Sequence, residues 1–250
     1  MIQKAGDGSQ EDAAELLDCL VQYIRPCDYP EAFFSMIRQR TWAECSVDKK
    51  AEEETKVAAK MKLHNQSKKP EDQLTTLPDD NITKSPAEPY VILRSDNLTE
   101  GQDGQQLLDQ TLGSTRKAQT DPTAIFMKNG EAKLYYATSE QLIIEPPPDR
   151  FILQLMRFQL DGKVSCNVNM PLEIRMSSQV YELKSIVVHE GTSAEGGHYT
   201  AMLKKTIEGE TKWWYASDSH VTSEDTERYK QTALKQGYLY FYVKKDAAII

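Results

Sequence analysis

One histidine and one aspartate are the residues of this chain best placed for chemistry. His198 stands in Gly196-Gly197-His198-Tyr199-Thr200-Ala201, and Asp218 closes Trp213-Trp214-Tyr215-Ala216-Ser217-Asp218. Both stretches read as strands, with the polar run Lys205 to Lys212 between them as a short loop. Folded about Glu208-Gly209 as a hairpin, they put Asp218 or Ser219 opposite His198. Directly opposed side chains of an antiparallel pair lie roughly 5 Å apart at Cβ. A carboxylate on one imidazole nitrogen fixes the tautomer and leaves the other nitrogen free as a base. Gly196 and Gly197 lack a Cβ, so a substrate backbone can approach closely there.

Such a base needs a nucleophile. The four cysteines are Cys19, Cys27, Cys45 and Cys166. Cys19 lies beside the apolar face of a helical stretch, Cys27 follows Pro26, Cys45 borders a polar segment, and Cys166 falls in a turn after Asp161-Gly162. None has the helix N-terminus or cationic neighbours that lower a thiol pKa. No two form a CxxC, so no metal site is expected, and their scatter fits a reducing compartment. Of the other histidines, His189 ends a buried strand before Gly191 and supports the loop, His220 is a surface residue, and His64 sits in a polar segment.

The net charge of −8 argues against a nucleic-acid binder, whose phosphate contacts need a basic face. No apolar run approaches the roughly 18 residues of a membrane span, and no signal-peptide pattern opens the chain. The expectation is a cytoplasmic or nuclear protein that uses no cofactor.

Several elements must position the pair. Ala13, Leu16, Leu17, Leu20, Val21 and Ile24 recur at helical spacing over residues 9–25, with Ser9 and Asp12 as a capping box and Pro26 as the stop. A second amphipathic stretch runs from Pro30 to Trp42, anchored by Phe33, Phe34, Ile37 and Trp42. Polar and charged residues then dominate, broken by Pro70, Pro78 and Pro86, although part of Lys49 to Lys62 fits a solvated helix. Tyr90 to Leu93 reads as a strand and Gln105 to Leu112 as one or two helical turns. After Ala124 strands dominate: Lys133–Tyr136, Leu142–Ile144, Arg150–Phe158, Tyr181–His189, His198–Lys204, Trp213–Ser217 and Tyr238–Val243. Helices followed by an antiparallel sheet make an α+β pattern. The expected division is a helical part at 1–45, a polar, partly disordered insertion at 46–123 and an antiparallel sheet at 124–250.

Several blocks resemble the ubiquitin-specific proteases, in that family's order. Gln10-Glu11-Asp12-Ala13-Ala14-Glu15-Leu16-Leu17 is similar to their Gln-x-Asp-Ala-x-Glu-Phe-Leu helix. Phe151 to Phe158 resembles their strand ending in Lys-Arg-Phe, followed by Lys163 and Met170-Pro171-Leu172. Val187-Val188-His189-Glu190-Gly191 with Gly197-His198-Tyr199 resembles their histidine box. Trp214-Tyr215-Ala216-Ser217-Asp218 resembles Trp-Tyr-x-Phe-Asp, and Gly237 to Tyr242 their closing strand.

The resemblance implies a papain-like cysteine protease fold with an antiparallel sheet carrying the His/Asp hairpin. It implies hydrolysis of the (iso)peptide bond after the C-terminal glycine of ubiquitin, with ubiquitin or a ubiquitinated protein as partner. A cysteine thiolate attacks, His198 is the base and Asp218 orients it. Asp12 and Glu15 match acids that hold the Arg-rich ubiquitin tail by charge-assisted bonds, and Tyr199 and Gly197 flank the tail channel. Without the resemblance, Asp12 is a cap partner, Glu15 a first-turn carboxylate favoured by the helix dipole, and Tyr199 a sheet residue on the face opposite His198.

The chain departs from the pattern in three places. The cysteine box Gly-Asn-Thr-Cys-Tyr normally stands well before the Gln-x-Asp-Ala helix, whereas nine residues precede Gln10 here and none is Cys. The zinc-binding CxxC pairs are absent. Ser217 stands where the family has Phe, and Ser219 where it has a second Asp. The expectation is therefore a fold truncated at its amino end. Three readings follow: a deubiquitinase whose cysteine box lies outside this sequence, a catalytically inactive ubiquitin-binding pseudoenzyme, or a scaffold that uses an inherited fold.

Overall fold

The computed structural model describes residue 13 and residues 36–44, 50–66, 74–85, 90–93, 98–113, 116–117, 123–144, 147–159, 162–192, 196–224 and 226–245. In chain order the elements are β1 (Met36–Glu44), α1 (Lys50–Gln66), β2 (Ile82–Lys84), β3 (Tyr90–Leu93), β4 (Gln102–Asp103), α2 (Gly104–Gly113), β5 (Arg116–Lys117), β6 (Thr123–Lys128) and β7 (Glu131–Ile144). There follow β8 (Arg150–Leu155), β9 (Phe158–Gln159), β10 (Gly162–Lys163), β11 (Val168–Asn169), β12 (Glu173–Met176), β13 (Gln179–Glu190), β14 (His198–Ile207), β15 (Glu210–Ser217), β16 (His220–Thr222), α3 (Thr226–Gln236) and β17 (Gly237–Lys244). The chain divides into two compact units.

The first unit takes residues 1–36, 87–111 and 144–250. Its eight-stranded sheet runs β16-β15-β14-β13-β17-β8-β3, with β12 also on β13. Every pairing is antiparallel except β3 with β8. Phe151 to Leu155 of β8 and Gly237 to Tyr240 of β17 are buried without a break, as expected of strands covered on both faces. The polar atoms within this core find partners. Gln154 donates to the Tyr238 hydroxyl at 2.7 Å. Tyr181, Tyr240 and Tyr242 donate to the carbonyls of Pro148, Leu234 and Pro171 at 2.8, 3.1 and 2.7 Å. Each phenol thus ties a neighbouring segment to the sheet while its ring fills the interior. Burial pushes the Tyr181 hydroxyl up to about 12.

Arg157 is the least expected core residue, with only 1% of its surface exposed. Its guanidinium donates to Gly237 O and Lys235 O, each at 2.9 Å, to Cys166 O at 2.8 Å and to Val164 O at 3.2 Å. Lys235 lies in the last turn of α3, where the helix dipole favours a cation. A Cβ on Gly237 would lie 2.6 Å from the Tyr240 ring and 2.7 Å from Ile186, so only glycine fits at the head of β17.

The second unit takes residues 37–86 and 112–143. Its sheet runs β2-β1-β7-β5, with β6 also on β7. Trp42, Leu77, Phe126, Tyr135 and Ala137 form its core. The Trp42 and Phe126 rings meet edge-on at 4.9 Å, and the Trp42 indole donates to Thr83 Oγ1 at 2.8 Å. Glu140 of β7 accepts from Arg38 at 2.9 Å and Arg40 at 2.8 Å.

These units cut across the boundaries expected at 45 and 123. Met36–Glu44 is a strand, because it pairs with β2 and β7 and buries Trp42. The segment 46–123 contains the solvated helix α1, but it also buries Leu74, Leu77, Leu107 and Leu108, and its Tyr90–Leu93 joins the large sheet. Residues 124–143 belong to the second unit. A few apolar side chains decide packing where the average composition is polar. The helix expected at 9–25 lies outside the described residues apart from Ala13, which is helical.

Candidate active site

The hairpin β14–β15 carries the His/Asp pair. It keeps one register from Ala201 opposite Ala216 to Ile207 opposite Glu210. Glu208 and Gly209 have φ of 52° and 83°, a type I′ turn. The strands therefore run through the segment expected as a loop, because a two-residue turn suffices and a solvated ribbon tolerates polar residues. Beyond Ala201 and Ala216 the ladder stops. β15 ends at Ser217, and a two-residue turn, Asp218-Ser219, leads into β16 with Ser217 opposite His220. Asp218 adopts φ 49°, the left-handed region that aspartate tolerates better than most residues.

The turn brings the predicted pair together and adds a third group. His198 Nε2 lies 3.8 Å from Asp218 Oδ2, beyond hydrogen-bond range but close enough for the charge to be felt. The same nitrogen lies 2.7 Å from Ser217 Oγ. The His198 side chain is 40% exposed and that of Asp218 82%, so the carboxylate is largely in water. Among the described residues His198 Nδ1 makes no hydrogen bond. The imidazole is thus held at one edge by a hydroxyl, with a carboxylate nearby, and among the described residues has no hydrogen bond at the other. A thiol placed at the open nitrogen would find a base there. Ser217 was not among the predicted site residues. The available signal was its position: two residues beyond Tyr215, which pairs with Met202, it shares the face of Thr200 and His198.

Behind the histidine, Tyr199 points to the opposite face and packs on the His189 ring at 4.8 Å. Phe158 meets His189 at 5.0 Å and Tyr238 at 5.3 Å. Ala13 packs against the same cluster. Its neighbours Asp12 and Glu15 lie outside the described residues, as do Cys19, Cys27 and Cys45. His189 is 2% exposed and does support the loop before His198. A Cβ on Gly197 would lie 2.5 Å from His189 Nε2, and one on Gly191 would lie 2.7 Å from Gly196 O. The two glycines let the ends of the loop close over the imidazole of His189.

Lys163 braces the other end of that loop. Its ammonium donates to His189 O and, at 3.2 Å, to Gly191 O, and its backbone N–H donates to Thr192 O at 3.1 Å. Burial, followed by the charge of Arg157, holds this ammonium below its ordinary 10.5, and Glu190 partly offsets them. Among the described residues no group of three or more His, Cys, Asp or Glu side chains is placed to hold a metal. Cys166 is half-buried, and its carbonyl accepts from Arg157.

The family model described as ubiquitin carboxyl-terminal hydrolase matches residues 2–242. The chain belongs to the ubiquitin carboxyl-terminal hydrolase family. Human ubiquitin carboxyl-terminal hydrolase 3 is 32% identical over 145 residues, which are 51% of this chain and 26% of that protein. Ubiquitin carboxyl-terminal hydrolase 14 of Schizosaccharomyces pombe is 35% identical over 66 residues, 26% of this chain and 8% of that protein. The chain therefore spans 26% or less of the length of these relatives. A solved structure, described as the SAGA Ubp8/Sgf11/Sus1/Sgf73 DUB module bound to ubiquitin aldehyde, superposes with a TM-score of 0.62 at 19% identity. That match covers 98% of this chain and 52% of the other. The fold is the α+β, papain-like fold of the ubiquitin-specific hydrolases.

Proposed function

We propose that this chain carries the proton-transfer half of a thiol-dependent ubiquitin hydrolase, together with part of the groove for the ubiquitin tail. One observation supports this most: an imidazole hydrogen-bonded at Nε2 to Ser217, with the Asp218 carboxylate 3.8 Å from that nitrogen and, among the described residues, no hydrogen bond at Nδ1. In the reaction a cysteine thiolate adds to the carbonyl carbon of the ubiquitin C-terminal glycine. The protonated His198 gives its proton to the leaving amine, and an acyl-thioester forms. Neutral His198 then takes a proton from water, which attacks the thioester and releases ubiquitin. Gly197 offers backbone at the mouth of the groove. Tyr199 flanks that groove, backed by Phe158, the buried His189 and the buried Tyr238. Asp12 and Glu15 pair with the arginines of the tail.

No Gly-Asn-Thr-Cys run occurs in the 250 residues, and the nucleophile is proposed to come from outside this sequence. The same observation favours a second reading, a ubiquitin-binding pseudoenzyme. Both readings expect the 250-residue chain to bind ubiquitin and to form no adduct with a ubiquitin probe bearing a thiol-reactive C-terminus. Failure to bind ubiquitin at high micromolar concentration removes both. Adduct formation removes the claim that the nucleophile lies outside. An in-frame Gly-Asn-Thr-Cys-like run immediately upstream in the gene selects the active hydrolase, and its absence selects the pseudoenzyme.

A further inference from the structure

We propose that the second unit carries a binding site for a carboxylate, in a polar cavity beside the turn between β6 and β7. The cavity has a volume of about 320 Å³. Ligand pockets run from roughly 300 to 1,000 Å³, so this one has room for a small acid or an acidic side chain. Its walls come from the end of β1 (Glu44), the turn before β2 (Asn81) and the β6–β7 hairpin (Lys128, Glu131, Lys133 and Tyr135). It lies wholly within one unit and shares no residue with the His198 site.

Two groups at this cavity have hydrogen-bonding capacity to offer. Tyr135 is 2% exposed, and its ring meets Phe126 edge-on at 5.8 Å in the core. Its hydroxyl end lines the cavity, yet among the described residues it makes no hydrogen bond. A phenol so deeply buried ordinarily has a partner. Burial, followed by the negative charge of Glu44, raises this hydroxyl above its ordinary 10.0, so at neutral pH it keeps its proton and is a donor. Lys128 is the second group. Its ammonium donates to Asn81 Oδ1 and, at 3.5 Å, to Asp79 O, both neutral acceptors. Among the described residues no carboxylate lies within ion-pair distance of it. The bond from Lys128 occupies the Asn81 carbonyl oxygen and leaves the amide N–H groups of that side chain to donate.

The remaining charges select the ligand. Lys133 is held by Glu44 at 3.2 Å and by Glu131 at 3.8 Å, so its charge is already answered. Lys128 is then the one cation lining the cavity that has no anion among the described residues. A planar monoanion with two acceptor oxygens matches this arrangement, with one oxygen for the Lys128 ammonium and one for the Tyr135 hydroxyl. A phosphate dianion would bring a second negative charge to a cavity that already holds two glutamates, with no cation left to balance it.

The test titrates the ¹⁵N-labelled 250-residue chain with N-acetylglycine and with the blocked peptide acetyl-Gly-Glu-Gly-amide. The amide signals of Asn129, Gly130 and the Asn81 side chain report binding. Saturable shifts in the millimolar range are expected with both ligands, and none with the neutral N-acetylglycinamide. Lys128→Gln is expected to weaken binding by roughly 10-fold or more, the scale of a bond to a charged group, and Tyr135→Phe by roughly 5-fold, the scale of a neutral one. The phenylalanine keeps the ring in the core. Glu131, whose side chain is 74% exposed, repels the ligand, so Glu131→Gln is expected to tighten binding, by about 2-fold. Opposite signs at Lys128 and Glu131 separate a site from a general response of the fold. Peptide binding at least as tight as that of N-acetylglycine assigns the carboxylate to an acidic side chain, weaker peptide binding assigns it to a free acid, and either supports the site. An absence of shifts at tens of millimolar overturns the proposal. So does affinity that Lys128→Gln leaves unchanged, or inorganic phosphate binding more tightly than both carboxylates.

Discussion

Arg157 is the residue on which the first unit depends most visibly. A buried cation normally needs an anion, yet this one is satisfied by four backbone carbonyls. Arg157→Met removes the charge with little change in volume and leaves those acceptors without their donors. The expected cost is about 3 kcal/mol or more, since each unsatisfied buried acceptor costs about 1–3 kcal/mol. Urea unfolding followed by circular dichroism measures it, and a loss well under 1 kcal/mol would show that water replaces the guanidinium. At this scale the sequence was informative about chemistry and silent about rotamers. His198 and Asp218 were legible because alternation and one Glu-Gly turn give a register. Ser217 shares their face by the same register, but its bond to the ring is a side-chain contact that register alone does not give. Arg157 was legible only as part of a motif, since four carbonyls brought together from distant segments leave no local pattern.

Among elements, the short β9–β10 hairpin holds the loop that leads to His198. Lys163 is its contact, through charge-assisted bonds to the carbonyls of His189 and Gly191. Lys163→Met is expected to speed amide hydrogen exchange over Gly191–Thr200 by roughly 10-fold, the scale of a bond to a charged group, while the unfolding midpoint of the chain holds. Unchanged protection in that segment would mean that the His189–Gly197 contact alone fixes the loop. The long strands were readable from their alternation, but some joins were not. Asn129-Gly130 forms a type I′ turn with φ of 53° and 81°, joining β6 to β7. β7 was expected as two strands, Lys133–Tyr136 and Leu142–Ile144. Its middle, Ala137-Thr138-Ser139-Glu140-Gln141, has weak strand propensity and is held extended by its neighbours β1 and β5, with Ala137 buried.

For the whole molecule, partly buried carboxylates link stability to pH, Glu140 in the second unit and Glu182 in the first. Burial alone would raise Glu140, but hydrogen bonds and charge from Arg40 and Arg38 outweigh it and hold the carboxyl below its ordinary 4.5. Glu182 is likewise lowered against burial, by Lys184 and Lys204. A carboxyl that binds its proton less readily when folded contributes stability above its unfolded pKa and loses it as pH falls through its folded value. Both units are therefore expected to hold constant stability from neutral pH down to about 5 and to weaken below 4.5. The indole N–H signal of Trp42, followed by NMR during acid titration, reports on the second unit, and Glu140→Gln should flatten its acid limb. An equally steep loss in Glu140→Gln would assign the acid sensitivity elsewhere. Composition alone concealed this two-unit organisation. A polar average over 46–123 hid the buried leucines that divide that stretch between the two units.

The carbonyls gathered by Arg157 come from the segment after β10, the last turn of α3 and the first residue of β17. A chain shortened to end before α3 would strand a permanent cation in an oily interior with half its acceptors gone. The segment from α3 through β17 is accordingly not an appendage that trimming can spare. Its arrival completes the interior, and a ribosome must release the residues through β17 before the sheet bearing His198 can become stable.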